Sequence, residues 1–540
     1  MNVFLTFIIM NNNIIETICV NFHQEVDINK SIKAMNIEIE EVDTDVDTTT
    51  TTRELLDDLV PTIAGFGTLN IVVKDTPINN TPIFILFTND ISGSMNETCP
   101  DGSTKMEHSI HTIRNILVLF AEQSENIDIW VQVIGFDDKI DTIIPAQKVS
   151  LENLDKLLNM LKKMRPRNGT NIELAIQNAN KEMWKFREQH PDFIISHIFT
   201  TDGNANAGTC DINKLSSFVE PQFINTFIGF GYDHHAKMLN AMSNNKNGQY
   251  YFIDKIENGG LVFGEIIHMI LYKALTDVNI KITNGAIYNY KTNTWDNHLE
   301  IDSLTGEANK VYHLCSSSPE DVVVEVVAIN NIVDIENGTS TIYETACILG
   351  STDLSKYLFR QKTQELLYES LKQDLKDNEL LLEFKNRVND FLSKLKKYMD
   401  MFTLTTDPFF IGIHDDLVII INTIGTYYSE MFSISRANTN GRELSYNVSD
   451  IPHRWKRQNA GVFFSSNCNL SDDDELMKSL QTTKGLKSGF LRQQSQYHCH
   501  DDMTEEDSEQ LTKLLRTEPL NCAYSTPRKV ELMRSCSQPI

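Results

Sequence analysis

The stretch IFILFTNDISGSM, residues 83–95, decides how the neighbouring sequence folds. Its first part, IFILFT, is a continuous apolar run of the length of one strand, which is typical of strands buried on both faces of a sheet. Its second part sets Asp90, Ser92 and Ser94 around a glycine, and such side chains do not pack in an apolar core without partners. The stretch therefore predicts a buried strand whose carboxyl end presents an acid and two hydroxyls.

The alternation that begins with this strand continues to about residue 275. Further apolar strands are IDIWVQVIGF (127–136), FIISHIFTTDG (193–203) and INTFIGFG (224–231). Between them lie amphipathic segments such as HSIHTIRNILVLFAEQ (108–123), whose apolar residues recur at helical spacing. Continuous apolar strands separated by helices favour a mostly parallel sheet covered by helices on both faces. We therefore predict a doubly wound α/β domain over residues 81–275.

Four further regions accompany this domain. Residues 1–80 are predicted to hold β-strands and a linker, because the acidic, threonine-rich tract at 38–53 contains too little apolar area to fold alone. Short apolar runs separated by polar turns predict an antiparallel β domain at residues 276–350. Helical periodicity predicts a helical region at residues 351–465, and polar, charged composition predicts a flexible tail at residues 466–540.

Charge and cysteine usage restrict the partners and the compartment. The net charge of −26 disfavours binding to a nucleic-acid backbone or to an anionic membrane surface. No run of about 18 apolar residues is present to span a membrane. The nine cysteines are scattered singly, which is typical of reduced thiols inside cells. We expect a cytoplasmic protein, located in the host cell if the source is viral.

Three separate segments carry oxygen donors that the predicted sheet brings together. Asp90, Ser92 and Ser94 follow the first strand, Thr170 precedes a helix, and Asp202 follows a later strand. Ligands of open parallel sheets bind at the carboxyl ends of the strands, where these segments meet. Two carboxylates and three hydroxyls form an all-oxygen set, which selects Mg²⁺, Ca²⁺ or Mn²⁺ over zinc or copper. Neutral hydroxyl ligands leave such an ion able to accept a carboxylate from outside.

The motifs DxSxS, GTN and TDG, in this order, resemble the metal-ion-dependent adhesion site (MIDAS) of von Willebrand factor A (vWA) domains. The resemblance covers about residues 80–275 and includes GFGYDHHAKMLNAMSNNKNGQYYFI (229–253), which is similar to a late strand–helix–strand unit of intracellular members. It implies that Ser92, Ser94 and Thr170 contact the metal, with Thr170 doing so mainly when a partner is engaged. It also implies that two acids, Asp90 and Asp202, hold the waters of the metal.

The sequence departs from the family pattern at three places, none of which removes a ligand. Asn89 precedes the first acid, and Asn168 stands where many members have glycine. An insertion, NETCPDGSTKM (96–106), separates the first motif from its helix and is expected to reshape the rim of the site.

Two further acids, Asp137 and Asp138, end another strand near the same edge. They are either acids that surround the ion or part of a solvated turn.

The function that this resemblance implies is a non-enzymatic protein-interaction module, in which the metal accepts an acidic residue of a partner. The first alternative is a Mg²⁺-dependent, phosphatase-like hydrolase, but its general acid would stand at position 92, which is serine. The second is a scaffold in a ubiquitin-ligase-type assembly. The region after residue 276 resembles the carboxy-terminal part of vWA proteins of plants, protists and large viruses, some of which add a RING or U-box. The chain has no Cys/His run able to form a RING.

Overall fold

The structure is a computed structural model that describes residues 14–23, 65–99, 101–245, 247–254, 258–331, 340–345, 347–373, 378–426, 428–445 and 524–538. The predicted linker tract and most of the predicted tail lie outside the described residues. The strands of the described ranges form three sheets.

The chain enters the described part through two strands, β1 (Ile15–His23) and β2 (Phe66–Val73), which pair antiparallel. The predicted α/β domain follows with a sheet of its own. Its strands are β3 (Ile83–Asp90), β4 (Ile129–Phe136), β5 (Ile140–Lys148), β6 (Ile194–Thr201), β7 (Ile224–Phe230) and β8 (Gly248–Ile253). Their order is β5-β4-β3-β6-β7-β8, and all neighbours are parallel except β4 and β5. The sheet is therefore mostly parallel.

Helices cover both faces of this sheet. They are α1 (Lys105–Glu122), α2 (Leu154–Leu161), α3 (Ile172–Gln189), α4 (Ile212–Ser217), α5 (Ala236–Met242) and α6 (Gly259–Leu271). Alternate residues of β3 enter two separate cores, because successive side chains of a strand point to opposite faces. Phe87 packs in the core that contains Ile113 of α1, whereas Phe84 stacks on Phe186 of α3. The predicted doubly wound α/β fold is confirmed.

A β-rich region follows the α/β domain. Its strands are β9 (Lys273–Thr283), β10 (Ala286–Asn289), β11 (Thr294–Asp296), β12 (His298–Thr305), β13 (Asn309–Cys315), β14 (Val323–Asn330), β15 (Ser340–Thr345) and β16 (Cys347–Thr352). One sheet has the order β12-β9-β14-β15, and the other has the order β11-β10-β13-β2-β1-β16. The two early strands thus belong to this region, although the sequence had suggested a separate segment at 1–80. The pairing of β1 with β16 is parallel.

A helical region then packs around a core of its own. Its helices are α7 (Ser355–Ser370), α8 (Asn378–Met401), α9 (Pro408–Thr423) and α10 (Ser429–Arg442). One face of α8 is buried in this core together with Phe359 of α7 and Leu417 of α9. The residues of this face are Phe384, Val388, Phe391, Leu395 and Tyr398. The fold therefore contains the additional β-rich and helical regions that the sequence predicts. Among the described residues, no helix combines the length and the apolar character needed to cross a bilayer.

The end of the chain differs from the prediction of a flexible tail. Residues 527–536 form a helix, α11 (Pro527–Cys536), that packs on α6 of the α/β domain. Gly264 of α6 lies against the backbone of Met533, and Leu532 and Cys536 belong to the core of the α/β domain. A short polar segment with only a few apolar residues gives a weak helical signal by itself. Its docking depends on the space that the glycine leaves, so the tail prediction is wrong for this part.

Candidate metal centre

The predicted donors lie at the point where the strand order of the α/β sheet reverses. Asp90 is the last residue of β3, and Asp202 directly follows β6, the neighbour of β3 on the other side from β4. Thr170 lies just before α3, whose first turn is capped by the side chain of Asn171. Because carboxyl ends of parallel strands share one edge, the topology delivers all three segments to a single crevice.

Asp90 is fully buried and is held at both carboxylate oxygens. The amide of Ser92 donates to Oδ1 at 2.7 Å, and the hydroxyl of Thr201 donates to Oδ2 at 2.6 Å. Burial raises the pKa of Asp90 to about 6, and the nearby charge of Asp202 adds to this effect. Two carboxylates that oppose each other in a buried site are costly to keep ionised unless a cation joins them.

The serine hydroxyls connect the two acids. The Oγ atoms of Ser92 and Ser94 lie 3.1 Å apart, and Ser94 donates its proton to Oδ1 of Asp202 at 2.7 Å. A hydroxyl that donates its proton keeps two acceptor lone pairs. The hydroxyl of Ser94 can therefore serve Asp202 as a donor and a cation as a ligand at the same time.

The hydroxyl of Thr170 completes the donor set. Thr170 is buried, and its amide donates to Oδ1 of Asn206 at 2.7 Å, which fixes the loop before α3. A Cβ added to Gly203 would lie 3.8 Å from Oγ1 of Thr170 and 4.0 Å from Oγ of Ser94. The missing side chain of Gly203 therefore leaves open space that both hydroxyls border. The structure brings the five predicted residues to one crevice.

This donor set fits a hard divalent cation. Within the described ranges, no group of three or more His, Cys, Asp and Glu side chains is placed to hold a metal. The crevice instead offers two carboxylates with three hydroxyls, and oxygen donors of this kind suit Mg²⁺, Ca²⁺ or Mn²⁺.

The asparagine at position 168 performs the conformational role of glycine. Its φ is +52°, in the left-handed region that asparagine tolerates better than most residues. Its carbonyl accepts from the amide of Gly93 at 3.1 Å, which ties the first motif to the loop of Thr170. Its side-chain amide donates to Asp137 at 3.2 Å and to Asp138 at 3.1 Å. This departure from the family pattern therefore keeps the loop in place.

Asp137 braces this loop, whereas Asp138 is exposed. Asp137 is buried and accepts from Nε of Arg167 at 2.7 Å and from the amide of Lys139 at 2.8 Å. Burial opposes its ionisation, but these hydrogen bonds and the charge of Arg167 keep the pKa of Asp137 below its ordinary value. Asp137 thus supports the segment that carries Thr170, and Asp138 belongs to the surface turn.

A lysine that the sequence motifs did not predict lies inside the site. Nζ of Lys105 donates to Oδ2 of Asp202 at 2.8 Å and lies 2.6 Å from Oε2 of Glu97. Burial disfavours its charge, but Asp202 and Glu97 outweigh burial and raise the pKa of Lys105 above its ordinary value. The signal that places this lysine is the capping box of Thr104 and Glu107, which makes Lys105 the first residue of α1.

A comparison with protein families decides the nature of this domain. Residues 85–204 match the model described as the von Willebrand factor type A domain. The chain contains a vWA domain. Domains of this family commonly serve as protein-interaction modules and commonly bind a divalent metal at a MIDAS, and their homologues are typically non-enzymatic. No curated protein matches the chain.

Solved structures similar to the chain include several vWA proteins. A von Willebrand factor type A protein from Catenulispora acidiphila is 12% identical, with 66% of this chain and 83% of that chain covered and a TM-score of 0.42. The ArnB paralog VWA2 from Sulfolobus acidocaldarius is 13% identical, with coverages of 71% and 94% and a TM-score of 0.42. Proximal thread matrix protein 1 from the mussel byssus, with a zinc occupied MIDAS motif, is 16% identical, with coverages of 40% and 52% and a TM-score of 0.30.

Proposed function

We propose that the vWA domain binds a divalent cation and uses it to dock an acidic residue of a partner protein. Mg²⁺ is the expected ion, with Ca²⁺ and Mn²⁺ as alternatives. The observation that supports this most strongly is the hydroxyl of Ser94, which bridges the hydroxyl of Ser92 and the carboxylate of Asp202. The residues that would hold the ion are Asp90, Ser92, Ser94, Thr170 and Asp202.

The roles of these residues follow from their chemistry. Asp90 and Asp202 supply the negative charge that a cation neutralises, and the hydrogen bonds on both oxygens of Asp90 fix that carboxylate in place. Ser92, Ser94 and Thr170 supply neutral oxygens, so they do not cancel the charge of an ion. A hard ion in such a set supplies a positive position that an outside carboxylate can occupy. The arrangement therefore favours recognition of an acidic side chain.

The same residues give less support to a hydrolase. A phosphatase-type reaction on Asp90 needs a general acid close by, and the residue two positions later is Ser92. The hydroxyl of Ser92 contacts Ser94, which belongs to the donor set. We therefore propose a non-enzymatic module. We also propose a cytoplasmic location, supported by the nine cysteines of the sequence, which are scattered singly and form no CxxC pair.

The test combines metal binding with partner capture. Ser92→Ala removes one hydroxyl donor, and Ser196→Ala is the matched control. Ser196 is a buried serine of β6 whose hydroxyl has no hydrogen-bond partner, so its loss leaves the site unchanged. We expect the native chain and Ser196→Ala to bind Mn²⁺ in calorimetry and to retain a protein from lysate with Mg²⁺ that EDTA releases. Ser92→Ala should weaken both by at least about tenfold.

Two outcomes would contradict this proposal. Equal capture of the partner by the native chain and Ser92→Ala, with and without EDTA, would show that partner binding does not depend on the metal. A screen of phosphate esters with Mg²⁺ tests the alternative, since turnover that disappears in Asp90→Asn would identify a hydrolase.

A further inference from the structure

The side-chain ammonium of Lys105 lies inside the site. Its Nζ donates to Oδ2 of Asp202 at 2.8 Å, while Ser94 donates to Oδ1 of the same carboxylate. The Asp202 side chain has no exposed surface, and that of Lys105 is 15% exposed. Both oxygens of this acid are therefore engaged, one of them by a positive charge that is tethered to α1.

A second carboxylate lies ready to take over this lysine. Oε2 of Glu97 is 2.6 Å from Nζ of Lys105, and the Glu97 side chain is 60% exposed. Both residues lie on the inserted hairpin and its junction with α1, where Thr98 and Thr104 form a bridge. The amide of Lys105 also donates to the carbonyl of Glu97 at 3.0 Å. Lys105 can therefore give up Asp202 without becoming an unpaired charge.

The charges of the crevice determine whether Lys105 raises or lowers the affinity for a divalent cation. Asp90 and Asp202 carry two negative charges, and the ammonium of Lys105 offsets one of them. A divalent cation among the same donors would lie close to this ammonium, and like charges at short range in a partly buried site repel strongly. We propose that Lys105 is a tethered counter-ion that competes with the divalent cation for Asp202 and thereby lowers the metal affinity of the site. This inference rests on the proposed metal-binding function.

The role of Lys105 predicts a gain of affinity rather than a loss. Lys105→Met keeps the length of the side chain and removes its charge, whereas Lys105→Arg keeps the charge. Lys139→Met is the matched control, because Lys139 is exposed on the turn after β4, and its amide, not its side chain, contacts Asp137. We expect Lys105→Met to bind Mn²⁺ at least about tenfold more tightly than the native chain. Lys105→Arg and Lys139→Met should stay within about threefold of the native value.

The measurement is calorimetric titration of the full chain with Mn²⁺ after removal of metals with EDTA, with circular dichroism to verify folding. The thermal unfolding midpoint without metal gives a second readout. It should fall in Lys105→Met, because Asp202 loses its counter-ion, and Mn²⁺ should then raise it more than in the native chain.

The outcomes separate this inference from the function on which it rests. Equal Mn²⁺ affinities of Lys105→Met and the native chain would overturn the counter-ion role and leave the metal site intact. Tighter binding in Lys139→Met of the same size would show a general charge effect and would also overturn it. Absence of Mn²⁺ binding in every variant would overturn the metal site itself, together with the competition.

Discussion

Asp90→Asn should stabilise the metal-free protein at neutral pH, although it removes one of the two carboxylates of the proposed metal site. Asp90 is fully buried, and its pKa is raised from 3.8 to about 6, mainly by burial and further by Asp202. Below pH 3.8 the carboxyl is protonated in both the folded and the unfolded chain, so it costs the fold nothing. Between pH 3.8 and about 6 the carboxyl is ionised in the unfolded chain but still largely protonated in the folded protein. The free energy of unfolding therefore falls as the pH rises through this range. Above pH 6 the full cost applies.

The size of this cost follows from the two pKa values. Each tenfold change in an ionisation constant corresponds to about 1.4 kcal/mol, so a rise from 3.8 to about 6 costs up to about 3 kcal/mol. Asparagine is neutral and similar in shape, and its carbonyl can still accept from the amide of Ser92. We expect Asp90→Asn to raise the free energy of unfolding by about 1–3 kcal/mol at pH 7.5 and to change it little at pH 4.

The assay is urea unfolding in EDTA at pH 4, 5, 6 and 7.5, followed by tryptophan fluorescence. Asp192→Asn is the control, because Asp192 is an exposed residue of the turn before β6. The native chain and this control should lose stability relative to Asp90→Asn as the pH rises from 4 to 6. A variant less stable than the native chain at pH 7.5, or a difference independent of pH, would refute the electrostatic reasoning. With Mg²⁺ present, the order at pH 7.5 should reverse if the metal stabilises only the native site.

Two further predictions concern the docking of α11 on the vWA domain and a buried ion pair of the helical region. Gly264→Ala should displace α11 at a cost of about 1–3 kcal/mol, because the new methyl group overlaps the backbone of Met533. Hydrogen exchange of residues 528–536 should speed up, whereas Gly412→Ala, at a helix position with open space, should leave it unchanged, and equal exchange in both would contradict this. Arg360→Ala should cost about 3–5 kcal/mol in urea unfolding at pH 7, because it removes the short ion pair of the buried Glu443 and leaves only the longer one with Lys310, 3.8 Å away. A loss below about 1 kcal/mol would show that Lys310 or solvent replaces the arginine.

The sequence predicted the α/β domain well because its signals are local. The apolar run of β3 and the polar stretch that follows it specify a buried strand and a polar carboxyl end within a few residues. Asp90 ends a parallel strand and Asp202 follows one, so the general rule for parallel sheets places the two acids at one edge, whereas Thr170 lies just before α3.

The parts that sequence reasoning missed depend on contacts between distant segments. The pairing of β1 with β16 joins residues far apart along the chain, and the sequence of neither strand specifies its partner. The docking of α11 depends on Gly264 of another helix. The contact of Lys105 with Asp202 requires the path of the inserted hairpin, which its composition does not specify.

The arrangement of β1 and β2 affects how the protein folds during its synthesis on the ribosome. These strands are synthesised before the vWA domain, but they pair with β16 and β13, which emerge after it. The vWA sheet is built from contiguous sequence and can form first, whereas among the described strands β1 and β2 then have only each other as partners. An isolated pair of strands is marginally stable and exposes two edges. The nascent chain is therefore most open to wrong pairing, and most dependent on chaperones, from the completion of the vWA domain until β13 and β16 arrive.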